Sequence, residues 1–351
     1  MVIKKKIDSS IFQFGIILVF LFLSKIAAAT ELVFYNWENY ISSSVIEQFE
    51  TETGHSIKVL IFDRDKDRDE LIASKSSEGI DLAVIETVAT KLFGKNNLLQ
   101  PMGNITPNPL KNTDPRWAQS CGDFGVPYLW GTLGIVYRND KVHSAPKSWG
   151  DLVYPNKEAQ GHISMQLDSI DTFVPALKVL GLSINAENTA DLKKAYNILL
   201  EQKKSVSTYE YVVSYSHKNR DDDIYMALVY SGDQLTLNAN LPHDPWTFVV
   251  PVEGTSIWVD CLTVLSSSKK QKAAAQFIEF MSRPQIAASN SADLRVATPN
   301  YLAKQYLSKE FLEDGTIFPS QKTQLKSEFY KILSNRSIRL RNRIINQLEK
   351  N

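Results

Sequence analysis

Cysteine is scarce in this chain of 351 residues: only Cys121 and Cys261 occur, and no Cys-x-x-Cys redox pair is present. In an oxidising compartment the two could form one disulfide, or Cys261 could be a small buried side chain within its apolar run. Histidine is equally thin. His55, His143, His162, His217 and His243 are scattered among polar stretches without metal-ligand spacing, so no metal or other cofactor is expected. Gly-x-Ser-x-Gly, His-Glu-x-x-His and phosphate-loop motifs are all missing, as is an obvious general acid/base pair. The chain therefore reads as a binder and not an enzyme, with an exported hydrolase using paired acids as the rival. A basic excess is lacking too: 39 Lys and Arg balance 39 Asp and Glu, which argues against nucleic acid as a partner.

The apolar run Ile11 to Leu23 falls short of the roughly 20 residues needed to span a bilayer, and Lys25 follows it. With Lys4-Lys5-Lys6 before it and Ala27-Ala28-Ala29 after it, residues 1–29 read as a cleaved secretory signal peptide, an uncleaved anchor being the alternative. Thr30, not cysteine, stands immediately after Ala29, so a lipid-anchored terminus is not indicated. Removing that segment leaves 35 basic and 38 acidic residues, a net charge of about −3. A chain of the remaining length exceeds the usual single-core size and is expected to form two lobes.

What is present is an alternation of strand and helix patterns. Leu32 to Tyr35 reads as a buried strand. Ser42 to Ser44 offer N-caps for a helix with Val45, Ile46 and Phe49 inside, ended by Gly54. Ile57 to Ile61 follows as a strand, the charged segment Asp63 to Glu70 leads into a helix, and Asp81 to Ile85 is a third strand. This order predicts a parallel sheet covered by helices, whose ligands sit at the carboxyl ends of the strands. Trp37 and Glu38 follow the first strand and Glu86 follows the third, on that edge.

Gly125 to Tyr137 reads as extended chain passing into a second lobe. There a helix at Asn188 to Glu201 has the inner stripe Leu192, Ala195, Tyr196 and Leu199, and strands are expected at Ile224–Tyr230 and Phe248–Val250. Ile257 to Leu265 returns to the first lobe. A helix from Lys269 to Ser282 is closed by Arg283-Pro284, and the tail beyond Asn300 is mostly helical in pattern. The expected organisation is thus signal peptide 1–29, first lobe 30–135, second lobe 136–256, a return to the first lobe at 257–303, and a C-terminal helical segment 304–351.

Three segments place aromatic rings where apolar runs meet loops: Tyr35-Asn36-Trp37, Tyr230-Ser231-Gly232-Asp233 and Trp258-Val259-Asp260. The two later ones add a carboxylate. A ring face beside a fixed negative charge suits a ligand that is cationic at its ends and apolar between them, as a polyamine is. Trp258 and Asp260 are two apart, hence on one face of a strand, where an unpaired acid is costly. Asp260 is then either a ligand-binding acid or one satisfied by backbone amides or an arginine. Asp233 is either a site acid or part of a plain Gly-Asp turn, and Tyr230 could be core. Asp168-Ser169-Ile170-Asp171 reads as an N-cap and its N3 acid, a role compatible with facing a cleft. Trp37 and Tyr40 could be core, Glu86 a solvated loop acid, and Asp221-Asp222-Asp223 a solvated loop.

In their order and spacing these segments resemble the periplasmic spermidine/putrescine-binding proteins, the solute-binding components of polyamine ABC transporters. The likeness runs through Tyr35 to Tyr40, Val126-Pro127-Tyr128-Leu129-Trp130-Gly131, Leu167-Asp168-Ser169, Tyr230 to Asp233, Val259-Asp260, Ser282-Arg283-Pro284 and Thr298-Pro299-Asn300. It implies an α/β, two-lobed periplasmic binding protein-like fold (type II), each lobe a mixed, mostly parallel sheet flanked by helices. It implies a periplasmic, monomeric receptor that captures a polyamine, putrescine or spermidine, and hands it to the transporter's membrane permease. A chemosensory receptor for a different organic cation is the alternative. Trp37, Glu38 and Tyr40 would line one wall; Asp168, Asp171, Tyr230 and Asp233 would come from the second lobe; Trp258 and Asp260 would stand near the hinge. The chain departs from the family at Glu86, Val88 and Val296, where serine, tyrosine and tyrosine are usual. Two aromatic walls are lost and a carboxylate gained, which opens the site to longer or more highly charged polyamines, or to agmatine.

Overall fold

A computed structural model describes residues 29–350 except 63, 75, 76, 217, 219–222 and 240. The signal-peptide reading, Asp63 and the acids Asp221 and Asp222 lie outside the described residues. Ten strands form one connected system: β1 (Glu31–Asn36), β2 (Ser56–Ile61), β3 (Leu82–Glu86), β4 (Val126–Arg138), β5 (Ile163–Ser164), β6 (Val206–Thr208), β7 (Met226–Tyr230), β8 (Trp246–Val249), β9 (Ser256–Val264) and β10 (Glu328–Phe329). Their order is β2-β1-β3-β9-β4-β7-β5-β6, with β10 beside β9 and β8 beside β4.

The expected strand–helix–strand start is present. β1 pairs in parallel with β2 and β3, because each strand is followed by a helix that returns the chain across the sheet face. The helices Ser43–Thr53 and Gln271–Met281 bring Phe277 5.5 Å from Phe34 and Phe49 5.1 and 5.3 Å from Phe277 and Phe280, between ring centroids. Burying each such side chain contributes about 1.5–3 kcal/mol.

β4 is the joint of the fold. Val126 to Thr132 pairs with β9, and Leu133 to Tyr137 pairs with β7, so one strand runs from the first group of strands into the second. β9 lies between β3 and β4, antiparallel to both. Around β4, β5, β7 and β8 sits the second group, with helices Phe173–Val179 and Thr189–Gln202 packed beneath it. This is the mixed α/β, two-lobed arrangement anticipated from sequence.

Four local expectations change. Pro284 does not merely close the preceding helix; it opens another, Pro284–Leu294, at a position where its missing N–H costs nothing. In the helix Thr189–Gln202 the buried stripe is Leu192, Ala195, Ile198, Leu199 and Gln202, while Tyr196 is half-buried. Ser42 is at the N-cap, but its hydroxyl bonds Asp293 instead of a helix amide. The tail carries the helices Lys309–Glu313, Gln321–Lys326 and Asn335–Lys350, but it also contributes β10, which pairs with β9 at the centre of the molecule. Ile344, Ile345 and Leu348 of the last helix pack on Leu192, Ala195 and Leu199. Cys121 and Cys261 are disulfide-bonded, which decides between the two readings of Cys261. Among the described residues no helix is long and apolar enough to cross a membrane.

Candidate functional site

Asp260 occupies the middle of β9, flanked in register by Glu86 of β3 and Leu129 of β4. Its carboxylate is 9% exposed and accepts a hydrogen bond from the Tyr40 hydroxyl at 2.8 Å. Burial pushes its carboxyl up to about 7, although the Tyr40 bond and the nearby Arg68 charge act to lower it. Tyr40 is itself held: Tyr128 donates to its carbonyl at 2.8 Å, Asn290 donates to the Tyr128 hydroxyl, and the two tyrosine rings meet edge to face. Burial, then the Asp260 charge, raises the Tyr40 phenol, so it is a donor at any physiological pH.

A second acid comes from the other group of strands. Asp171 is 7% exposed and accepts from the hydroxyls of Tyr230, at the end of β7, and Tyr330, just past β10. Burial first and the Asp168 charge second push it up to about 7. Asp168 points one oxygen at the amides of Ile170 and Asp171, at 2.6 and 2.7 Å. The capping reading thus holds for Asp168 in kind, one turn ahead of the helix Phe173–Val179, whereas Asp171 belongs to the phenol cluster.

Asp233 begins the helix Asp233–Asn238 and accepts from the Tyr230 amide at 2.7 Å and from the Tyr211 hydroxyl. Burial raises it to about 6. The turn into it needs Gly232, whose φ of 104° is closed to ordinary side chains. Trp258 lies over Gly131 of β4, where an added Cβ would fall 2.3 Å from the indole and 2.2 Å from the Ser231 hydroxyl. The Tyr-Ser-Gly-Asp turn and the Trp-Val-Asp strand are therefore in contact through a residue that must be glycine. The Trp258 indole N–H is buried without a partner.

Trp37 is half-buried with its ring 4.3 Å from Phe62, joining two core clusters. Glu38 is exposed on the turn after β1. Glu86 is no solvated loop acid: its two oxygens accept from the amides of Val88 and Ala89, both at 2.6 Å, capping the helix Thr87–Lys95. Val296 lies 3.9 Å from where a Cβ on Gly232 would be. Beyond burial, the Asp65 charge acts to raise Asp260, Glu86 and Asp171 alike.

Three residues bonded to acids in this region were not singled out from sequence: Tyr211 on Asp233, Tyr330 on Asp171, and Arg68 on Asp65 and Asp69. Tyr330 follows a two-residue strand in a polar tail with no periodic signal. Arg68 sits in a charged stretch that looks solvated yet is 0% exposed. No cluster of acids, histidines or cysteines able to hold a metal occurs among the described residues. Asp260 and Asp171 are buried and Asp233 is half-buried, and each carboxylate is an acceptor able to take a hydrogen bond from a cation.

Residues 44–319 match the family profile of bacterial extracellular solute-binding proteins. The chain belongs to that family. This solute-binding protein is 34% identical over 323 residues to the norspermidine sensor of Vibrio cholerae, covering 92% of this chain and 89% of that one. It is 26% identical over 303 residues to the spermidine/putrescine-binding periplasmic protein of Escherichia coli, covering 85% and 86%. Among solved structures it is similar to the spermidine/putrescine ABC-transporter substrate-binding protein PotD of Streptococcus pneumoniae, with a TM-score of 0.80 and 26% identity over 92% of this chain and 99% of that one.

Proposed function

We propose that this solute-binding protein is a periplasmic polyamine receptor that delivers its ligand to the permease of an ABC transporter. The observation that carries the reading is Asp260: a nearly buried carboxylate on β9, the strand paired with β4, with no cation at ion-pair distance among the described residues and one phenol donating to it. An ammonium group is the partner such an acid lacks, and Asp171 offers a second for the other end of the ligand. Charge-assisted hydrogen bonds to these acids are stronger than neutral ones. Each ring lying over a cationic end adds about 0.5–2 kcal/mol.

The lobes are assigned to 30–135 with 257–303, and to 136–256, the segment 304–351 bracing the second and completing the site with Tyr330. In this reading Trp37, Tyr40, Trp258 and Asp260 form one wall, and Asp171, Tyr230 and Asp233 the other. Asp168 and Glu86 hold the backbone beneath them, and Glu38 stands at the rim. The receptor acts as an exported monomer without catalysis. Calorimetry on ligand-stripped protein with putrescine, cadaverine, agmatine, norspermidine and spermidine tests this; no heat and no thermal shift with any of them rejects it. The likeness to a norspermidine sensor supports a second reading, in which the same clamp presents its ligand to a signalling receptor. Affinity capture of the membrane partner separates permease from receptor.

A further inference from the structure

The last helix, Asn335–Lys350, has two faces of opposite character. Its inner face packs Ile344, Ile345 and Leu348 into the core beneath the second group of strands. Arg341 is turned inward with them, fully buried, and donates to the carbonyls of Ile184 and Ala186 at 2.8 and 2.9 Å. The helix is therefore fixed, and its outer face is presented to solvent in one orientation. That outer face carries Arg336, Arg339, Arg343 and Lys350, all exposed, and among the described residues none of the four is ion-paired with an acid. At about 100° per residue the four fall within roughly 60° of arc, opposite the buried side chains, in a row about 21 Å long. The one acid of the helix, Glu349, lies about 80° round from the nearest of them. The other outward positions are Asn342, Asn346 and Gln347, and the exposed large apolar side chains of the described residues all lie outside this helix.

We propose that this face is a docking surface for an anionic phospholipid bilayer, which holds the receptor at the membrane where its transport or signalling partner sits. The inference takes from the receptor reading only its exported setting and is independent of the ligand. Three of the four cations are arginines, whose planar fork matches phosphate oxygens. A straight row of one sign suits a laterally continuous sheet of charge. A protein partner would call for an apolar or aromatic anchor at the centre of the contact, and this face offers none. The apolar side of the helix is already packed on the core, so attachment is electrostatic and involves no insertion. With residues 1–29 removed the chain carries a net charge of about −3. An anionic sheet thus repels the molecule as a whole, and attraction has to come from a concentrated basic patch, which also sets the orientation. Each Lys or Arg held near such a surface strengthens binding about fivefold, an effect that fades beyond a Debye length.

The test is co-sedimentation of the chain lacking residues 1–29 with vesicles of phosphatidylcholine alone, and with phosphatidylglycerol added. The wild type is expected to sediment with the anionic vesicles and not with the neutral ones, and to be released at about 1 M salt, where the Debye length is about 3 Å. Replacing two of the cations together, Arg339→Gln with Arg343→Gln, is expected to weaken that binding about 25-fold while melting and putrescine calorimetry stay at wild type. Arg339→Lys with Arg343→Lys, which keeps both charges, is expected to retain most of it. Three results overturn the proposal: no association of wild type with anionic vesicles at about 0.15 M salt, equal association of the double glutamine variant, or a loss as large in the double lysine variant. If wild type ignores protein-free vesicles yet binds the isolated membrane partner through Arg339 and Arg343, the face serves an acidic protein and the lipid proposal falls. Vesicle binding without heat from any amine rejects the polyamine-receptor reading alone. Amine binding without vesicle binding rejects this inference alone.

Discussion

Replacing Asp260 by asparagine keeps the shape of the side chain and an oxygen for the Tyr40 hydroxyl, and removes only the charge. If Asp260 receives an ammonium group, the variant loses a hydrogen bond to a charged group, about 1.5–3 kcal/mol, or roughly 10- to 150-fold in Kd. The same change acts oppositely on the ligand-free protein. Burial lifts the folded-state pKa of Asp260 to about 7, well above the ordinary aspartate range near 4. A raised carboxylate binds its proton more tightly when folded than when unfolded. Its contribution to stability therefore falls as pH climbs from about 4, and the full cost is reached above about 7. That cost is on the order of 4 kcal/mol before any relaxation of the surroundings. Asp260→Asn is thus expected to bind amines more weakly and, without ligand at pH 8, to unfold at higher denaturant. The gap from wild type should shrink at pH 5. Calorimetry at pH 8 and denaturant titrations at both pH values measure the two effects. Unchanged affinity removes Asp260 from the site; a variant less stable than wild type at pH 8 refutes the argument that burial of this charge is costly.

Affinity for putrescine should rise from pH 5.5 to 8, because Asp260 and Asp171, raised to about 7, and Asp233, raised to about 6, must ionise to receive ammonium groups. Calorimetry in buffers of different ionisation enthalpy would register the released protons, and a flat profile contradicts it. Tyr330→Phe removes one of the two phenols on Asp171 and is expected to change affinity by about 1–3 kcal/mol, read by the same titration. Glu86→Ser keeps a helix cap while deleting the charge, so stability should change by under about 1 kcal/mol and affinity far less than in Asp260→Asn. Reducing the disulfide, whose cysteines are 140 residues apart, should destabilise the protein by about 5 kcal/mol in denaturant titration on loop-entropy grounds.

The first three strands were legible because their apolar runs are bounded by breakers and alternate with helical patterns, so local chemistry and tertiary placement agree. Asp260 was legible for the opposite reason, as an acid inside an apolar run that local rules disfavour. Pro284 misled because the same residue that stops one helix also starts another, and the sequence does not mark which. The division of labour between Asp168 and Asp171 turned on which carboxylate reaches the amides, a rotamer question closed to sequence. Tyr330 and Arg68 were hidden because their burial comes from distant segments: β10 gains its strand character only from β9, and Arg68 is covered by β3 and the Phe62 ring.

Cys261 is the immediate chain neighbour of Asp260, and its sulfur is tied to Cys121 in the loop that precedes β4. The covalent cross-link thus stands one peptide unit from the acid proposed to receive an amine. On that proposal, reduction of the bridge would reach the ligand by that route. The reduced chain holds this stretch of β9 by hydrogen bonds and packing alone, so its hold on amines should slacken before its overall shape is lost, and oxidation should restore the grip.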